Sequence, residues 1–159
     1  QKEENFNVIF PGKPGVPSAV LKEHESLLNQ IENLTSMPDS LGVVAISLRD
    51  MMHHHFMEEE EYVLPPLGLL PLLASGQLPA DSRDIMRLTE KLKSQLAHIS
   101  AEHQLIIAYL DELKQFAPAK NLPEIIQFEK ELHEHARLEE EIYFPTAILI
   151  GEYLKLKSI

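Results

Sequence analysis

Apolar residues recur every three or four positions along most of the chain, and histidine and glutamate interrupt the stripes they form at matching places. That spacing is the period of a helix with one face turned to a core. A first helix is predicted from an N-cap at Ser18 to about Leu34, with Val20, His24, Leu27, Ile31 and Leu34 on its inner face. Pro38-Asp39-Ser40 breaks the chain and caps a second helix from about Leu41 to Leu64, with the stripe Leu41, Ala45, Leu48, Met52, His55, Glu59, Tyr62. Leu67 to Gly76 reads as an apolar connector covering one end. Asp81 or Ser82 caps a third helix to about Phe116, ended by Pro118, whose stripe runs from Ile85 through His103 to Leu113. A fourth begins at Asn121 and Pro123 with Ile125, Phe128, Leu132, His135, Glu139 and Ile142 inward. After Pro145, residues 147–156 read as a kinked extension or a fifth helix.

No strand-like alternation occurs. Four amphipathic helices with short connections predict an all-α, antiparallel up-down four-helix bundle over 18–159. Ahead of it lies an extended, proline-rich arm over 1–17.

The polar interruptions form a repeat. His55-Phe-Met-Glu-Glu-Glu-Glu-Tyr-Val-Leu-Pro65 returns eighty residues later as His135-Ala-Arg-Leu-Glu-Glu-Glu-Ile-Tyr-Phe-Pro145. Both read His-x3-Glu-Glu-Glu-x3-Pro. A lone histidine on an inner face precedes each copy, His24 by 31 residues and His103 by 32. Side chains four apart on a helix lie about 40° apart in azimuth and about 6 Å along the axis, a reach that suits one small ionic centre. Six polar groups at one level of a core would cost several kcal/mol, on the order set by burying unpaired polar groups. A metal taking up their lone pairs offsets that cost. The candidate ligands are therefore His24, His55, Glu59, His103, His135 and Glu139.

Nitrogen and oxygen donors without sulfur suit iron, manganese or zinc. Two glutamates facing each other could bridge two ions, leaving two histidines for each, so the ligand count favours a di-metal centre. Other histidines fall outside the stripes. His54 with Glu58, His98 with Glu102, and His133 lie on solvated faces, and His53 at a margin; these read as surface or ligand-supporting groups. Glu60 and Glu140 are placed to orient a ligand imidazole. Tyr62 reads as a packed aromatic whose hydroxyl finds a partner.

A net charge of −11 argues against nucleic acid and against an anionic membrane surface. The absence of cysteine excludes thiolate metal sites, a cysteine nucleophile and disulfides. No apolar run reaches membrane-spanning length. The chain begins at Gln1 with no apolar leader in view, which leaves the compartment open between the cytoplasm and export after removal of a signal peptide.

His24, His55-x3-Glu59, His103 and His135-x3-Glu139 resemble the hemerythrin-like (HHE cation-binding) domain, from about Pro17 to Pro145. The di-iron ferritin-like order is Glu-x-x-His, and no glutamate stands three residues before any histidine here. The resemblance implies two iron ions with an oxo or hydroxo bridge, carried by Glu59 and Glu139 as bridging carboxylates. It also carries a departure. Oxygen-carrying hemerythrins have a fifth histidine one turn from the one on helix three, where this chain has Ile99 and Ile107. They place an Asp five residues after the last histidine, where this chain has Glu139 at four. Four histidines and two glutamates are similar to the repair-of-iron-centres di-iron proteins. The expected ligand is a small oxidant (dioxygen, peroxide or nitric oxide), in sensing, scavenging or iron handling. Reversible oxygen or iron binding, and a partner-binding bundle with structural zinc, stand as the alternatives.

Overall fold

The computed structural model describes residues 14–120 and 122–158. Most of the expected arm therefore lies outside the described residues; its last part is tied down where the Gly15 N–H donates to the Pro65 carbonyl at 2.9 Å. Among the described residues the chain is helical throughout, with no strand.

Five helices of a dozen residues or more carry the architecture: α1 (Ser18–Glu32), α2 (Asp39–Glu58), α3 (Arg83–Lys114), α4 (Pro123–Leu138) and α5 (Phe144–Lys157). α1 packs on α2, α2 on α3, α3 on α4, and α4 returns to α1, while α5 lies along α3. Helix starts differ from expectation in detail. Pro17, not Ser18, is the N-cap of α1, its carbonyl accepting from Val20 and Leu21. Ser82 is the N-cap of α3, and the Asp81 carboxylate ahead of it accepts the Arg83 backbone N–H at 2.9 Å. That helix ends at Lys114, ahead of Pro118, which sits inside a separate short turn, Phe116–Lys120. The apolar connector forms two short turns, Pro65–Leu69 and Leu70–Ala74, the first packed on α5 and α3.

Both copies of the repeat end in the same irregularity. Glu59–Val63 and Glu139–Tyr143 are π-helical turns, in which the Leu64 and Phe144 N–H groups reach back five residues to the carbonyls of Glu59 and Glu139. A π-turn inserts one extra residue and rotates the chain beyond it. Pro65 and Pro145 come directly after, where the helical ladder is already interrupted. One expected position is corrected: Ile142 is 50% exposed and Tyr143 and Phe144 face inward, whereas Tyr62, at the matching place in the first copy, is buried as expected. The second copy does not stop at its proline. It continues as α5, with Pro145 in the first turn, where a missing N–H costs nothing.

The core comes in two apolar clusters. One holds Leu27, Leu48, Met52, Phe56, Ile106 and Leu132; the other holds Val20, Tyr62, Ile99, Phe144 and Leu154. α1 and α3 run from the second cluster into the first, and α2 and α4 from the first towards the second. Each helix crosses the boundary at one of the candidate histidines: His24, His55, His103 or His135.

α5 approaches α3 closely at Gly151, where an added Cβ would lie 2.0 Å from Thr89 Oγ1 and 2.6 Å from its Cβ. Thr89 is buried and hydrogen-bonded to the Met86 carbonyl, so it has nowhere to go. Gly151→Ala is expected to destabilise the fold by about 1–3 kcal/mol through overpacking, lowering Tm by several degrees in a thermal melt. An unchanged melting curve would refute the close contact.

Candidate metal centre

The six candidate residues meet in the layer between the two apolar clusters, and all are buried, from 0% exposure for Glu59 to 8% for His103. Their atoms divide into two groups that share both carboxylates: His24 and His135 with Glu59 and Glu139, and His55 and His103 with the same two. The pairing crosses the repeat, joining α1 to α4 and α2 to α3. The ring centroids are 4.9 Å apart in the first histidine pair and 4.6 Å in the second.

The donor spacings are those of a coordination shell. His24 Nε2 lies 3.6 Å from Glu59 Oε1 and 3.8 Å from Glu139 Oε2. His135 Nε2 is 3.3 Å from Glu139 Oε1. In the other group, His55 Nε2 is 3.4 Å from Glu59 Oε2, and His103 Nε2 is 3.2 Å from Glu139 Oε1. Ligands about 2.1 Å from a common ion stand about 3 Å apart at right angles and about 4.2 Å apart when opposed. All of these spacings fall between those limits.

Eight buried side-chain atoms lack a hydrogen-bond partner among the described residues, and all belong to these six side chains. They include the Nε2 of all four histidines and both oxygens of Glu59. Native interiors rarely leave such groups unpaired, since each costs about 1–3 kcal/mol. Orphaned lone pairs converging on one layer fit a bound cation.

Each imidazole turns its other nitrogen towards a carboxylate. His55 Nδ1 is 3.1 Å from Glu102, His103 Nδ1 is 2.7 Å from Glu140, and His135 Nδ1 is 2.8 Å from Glu23. His24 Nδ1 stands 3.6 Å from Glu60; that ring is held instead by parallel stacking on Phe56, with centroids 3.9 Å apart. A carboxylate at Nδ1 fixes Nε2 as the lone-pair side and raises its basicity. Glu60 and Glu140 are expected from their places beside Glu59 and Glu139. Glu23 and Glu102 are the residues sequence reasoning missed. Their signal is the dipeptide Glu-His, which stands at 23–24 and again at 102–103.

Burial, reinforced by the nearby charge of Glu139, pushes Glu59 well above the usual carboxylate range. Burial pushes Glu139 the same way, but the close approach of Glu59 and of the His103, His135 and His24 imidazoles holds it well below. Burial also opposes protonation of His135, yet Glu139 and Glu23 outweigh it and raise the imidazole to about 9. His103 is raised in the same manner against its burial, by Glu139 and Glu140. His55 is lowered by burial and by the charge of His103.

Of the histidines placed outside the stripes, His54 and His98 are largely exposed and reach Glu58 and Glu102, and His133 reaches Glu129 on the surface. Tyr62 is a packed aromatic whose hydroxyl donates to Glu58 at 3.2 Å, and Tyr143 donates to Glu23. Ile99 is fully buried, so no fifth imidazole occupies that turn. A cavity of about 420 Å³ opens between α1 and α4, lined by Ala19, Leu27, Leu138 and His135.

Fold and site together define a helical protein with a buried histidine–glutamate cluster able to hold a metal. The family model described as "Hemerythrin HHE cation binding domain" matches residues 15–147. The chain belongs to that family. No curated protein and no solved structure matched it. No described helix is long and apolar enough to cross a membrane.

Proposed function

We propose that this is an antiparallel, up-down hemerythrin-like bundle holding two iron ions, and that it reacts with small oxidants rather than storing them. The topology is supported by the short connections and by the alternation in which apolar cluster each helix leaves and enters. The two-ion count is carried by one observation: both histidine pairs share the same two carboxylates. Bound there, iron would supply redox chemistry towards dioxygen, peroxide or nitric oxide.

The protein side chains do the rest. Glu59 and Glu139 join the two halves; Glu23, Glu102 and Glu140 hold three of the imidazoles in register, and Phe56 holds the His24 ring. The apolar clusters on either side keep bulk water out. The α1–α4 cavity gives a small uncharged molecule a route to the His24–His135 half. Two imidazoles per ion, with isoleucine in the turn before His103, leave room beside each half.

The visible spectrum of iron-loaded, dithionite-reduced protein tests the reading as air is admitted and then removed. A band that grows in and persists under vacuum is expected. A band that reverses would make the protein an oxygen carrier. No band at all would point to zinc or manganese.

Substitution tests the ligand assignment. His55→Ala and His135→Ala are each expected to lower tightly held metal at least about 10-fold, by analogy with the loss of supporting groups. His133→Ala and His54→Ala should leave the tightly held, buried metal at wild-type level; equal losses in both sets would refute the assignment.

Uptake should also depend on pH. A protonated His135 cannot bind an ion, so loading displaces its proton. Affinity is expected to rise with pH up to about 9 and then level off. Proton release measured in weakly buffered solution checks the sign.

A further inference from the structure

Beyond the buried centre, the face between α2 and α3 carries a second set of metal-ligand side chains. His54 and Glu58 stand four apart on α2, and His98 and Glu102 four apart on α3. This is the His-x3-Glu spacing of the buried motif, displaced to the surface. The two pairs face each other. His54 Nε2 lies 2.7 Å from Glu58 Oε1 and 3.7 Å from Glu102 Oε2. His98 Nε2 lies 3.2 Å from Glu58 Oε2 and 3.5 Å from Glu102 Oε1. Three of the four distances fit the roughly 3 to 4.2 Å span of donors around one ion, and the 2.7 Å His54–Glu58 contact is one an entering ion would have to open. His54, Glu58 and Glu102 already place donor atoms close enough together to share an ion, with His98 beside both carboxylates. The carboxylates are only 18% and 12% exposed, while both imidazoles reach solvent.

The repeat shows that this quartet is not required by the fold. Under the same two-fold relation that maps His55 onto His135 and His103 onto His24, His54 corresponds to Glu134 and Glu58 to Leu138. His98 corresponds to Ala19, and Glu102 to Glu23. Those counterparts line the open α1–α4 cavity. One face carries two carboxylates, Glu23 and Glu134, and no imidazole at these positions; the other has donors at all four.

Glu102 connects the surface to the interior. Its Oε1 is 3.1 Å from His55 Nδ1 and 3.5 Å from His98 Nε2. We propose that His54, Glu58, His98 and Glu102 form a solvent-facing site for a divalent transition-metal ion, through which the buried centre is loaded. Two imidazoles and two carboxylates, with the outer side open to water, suit Fe²⁺, Zn²⁺ or Co²⁺ held weakly enough to pass on. The loading role rests on the reading of the buried centre as a metal site, whereas the surface site itself does not.

Equilibrium dialysis of the full chain against Zn²⁺ counts the sites, with the double variant His54→Ala/His98→Ala alongside. Three equivalents in wild type and two in the variant are expected. Stopped-flow uptake of Fe²⁺ under anaerobic conditions should be at least 10-fold slower in the variant, with the same final buried content. Two equivalents in both proteins would overturn the surface site and leave the centre standing. One equivalent, lost in the variant, would overturn the buried centre and with it the loading role. Three equivalents with unchanged uptake rates would overturn that role as well.

Discussion

Glu59→Gln is expected to abolish tight metal binding in both halves of the centre while making the metal-free protein more stable than wild type. The two effects have opposite signs because Glu59 does opposite things in the two states. With metal, its two oxygens face different histidine pairs, Oε1 towards His24 and Oε2 towards His55. An amide offers one weak oxygen donor instead of a bridging anion, so each half should lose at least about 100-fold in affinity, the upper end of what supporting groups cost when removed. Without metal, Glu59 is a fully buried carboxylate with two orphaned oxygens beside a second buried carboxylate. Burial beside Glu139 pushes the Glu59 carboxyl well up, so the metal-free fold bears its cost either as a buried anion or by taking up a proton. The neutral amide avoids that cost and gives Glu139 an N–H to accept from, which should stabilise the metal-free fold by about 1–3 kcal/mol. Metal analysis and thermal melts of the chelated proteins read the two effects separately. A variant that retains two ions would show that Glu59 is not shared. A chelated variant less stable than chelated wild type would show that Glu59 is no burden to the empty site.

All six residues on the inner-face stripes are buried and brought together, because the rule behind the stripes is local. A side chain that recurs with the apolar period shares its burial, whatever its polarity. His24 between Val20 and Leu27, and His103 between Ile99 and Ile106, needed no tertiary information. Two kinds of feature did. Ile142 kept the period and still emerged at the surface, although Tyr62 at the same place beside the same π-turn is buried, a difference set by what each turn packs against and recorded in no hydrophobic pattern. The proline after each turn was visible, but Pro65 read as a stop and Pro145 as a kink or the break before a fifth helix, and neither as the partner of an irregular turn. Glu23 and Glu102 were hidden for a different reason. Each lies next to a candidate ligand but supports a histidine on another helix: Glu23 reaches from α1 to His135 on α4, and Glu102 from α3 to His55 on α2. Periodicity assigns a residue to a face and says nothing about which neighbour that face meets. The same limit made His54, Glu58, His98 and Glu102 look like two unrelated solvated pairs, when α2 and α3 bring each imidazole within 4 Å of both carboxylates.

Metal removal should produce the largest change in stability. An ion bound to the native state alone, at a free concentration of 1,000 Kd, contributes about 4.1 kcal/mol, so two ions contribute about 8 kcal/mol. For a chain of this length each kcal/mol moves Tm by about 2–4 °C, which predicts a drop of about 15–30 °C on chelation. The local reason is the eight orphaned atoms in the layer between the two apolar clusters. With their ions gone, that layer joins the clusters through polar groups that satisfy nothing. His55→Ala removes a donor from the α2–α3 half and leaves His24 and His135 in place, so it should retain about half of the metal-dependent shift under the same linkage. His133→Ala should retain all of it. Calorimetric melts with and without chelator, across the three proteins, give the comparison directly. A wild-type Tm that does not respond to metal would mean that the six buried polar residues are satisfied in some other way, and the centre would fall with it.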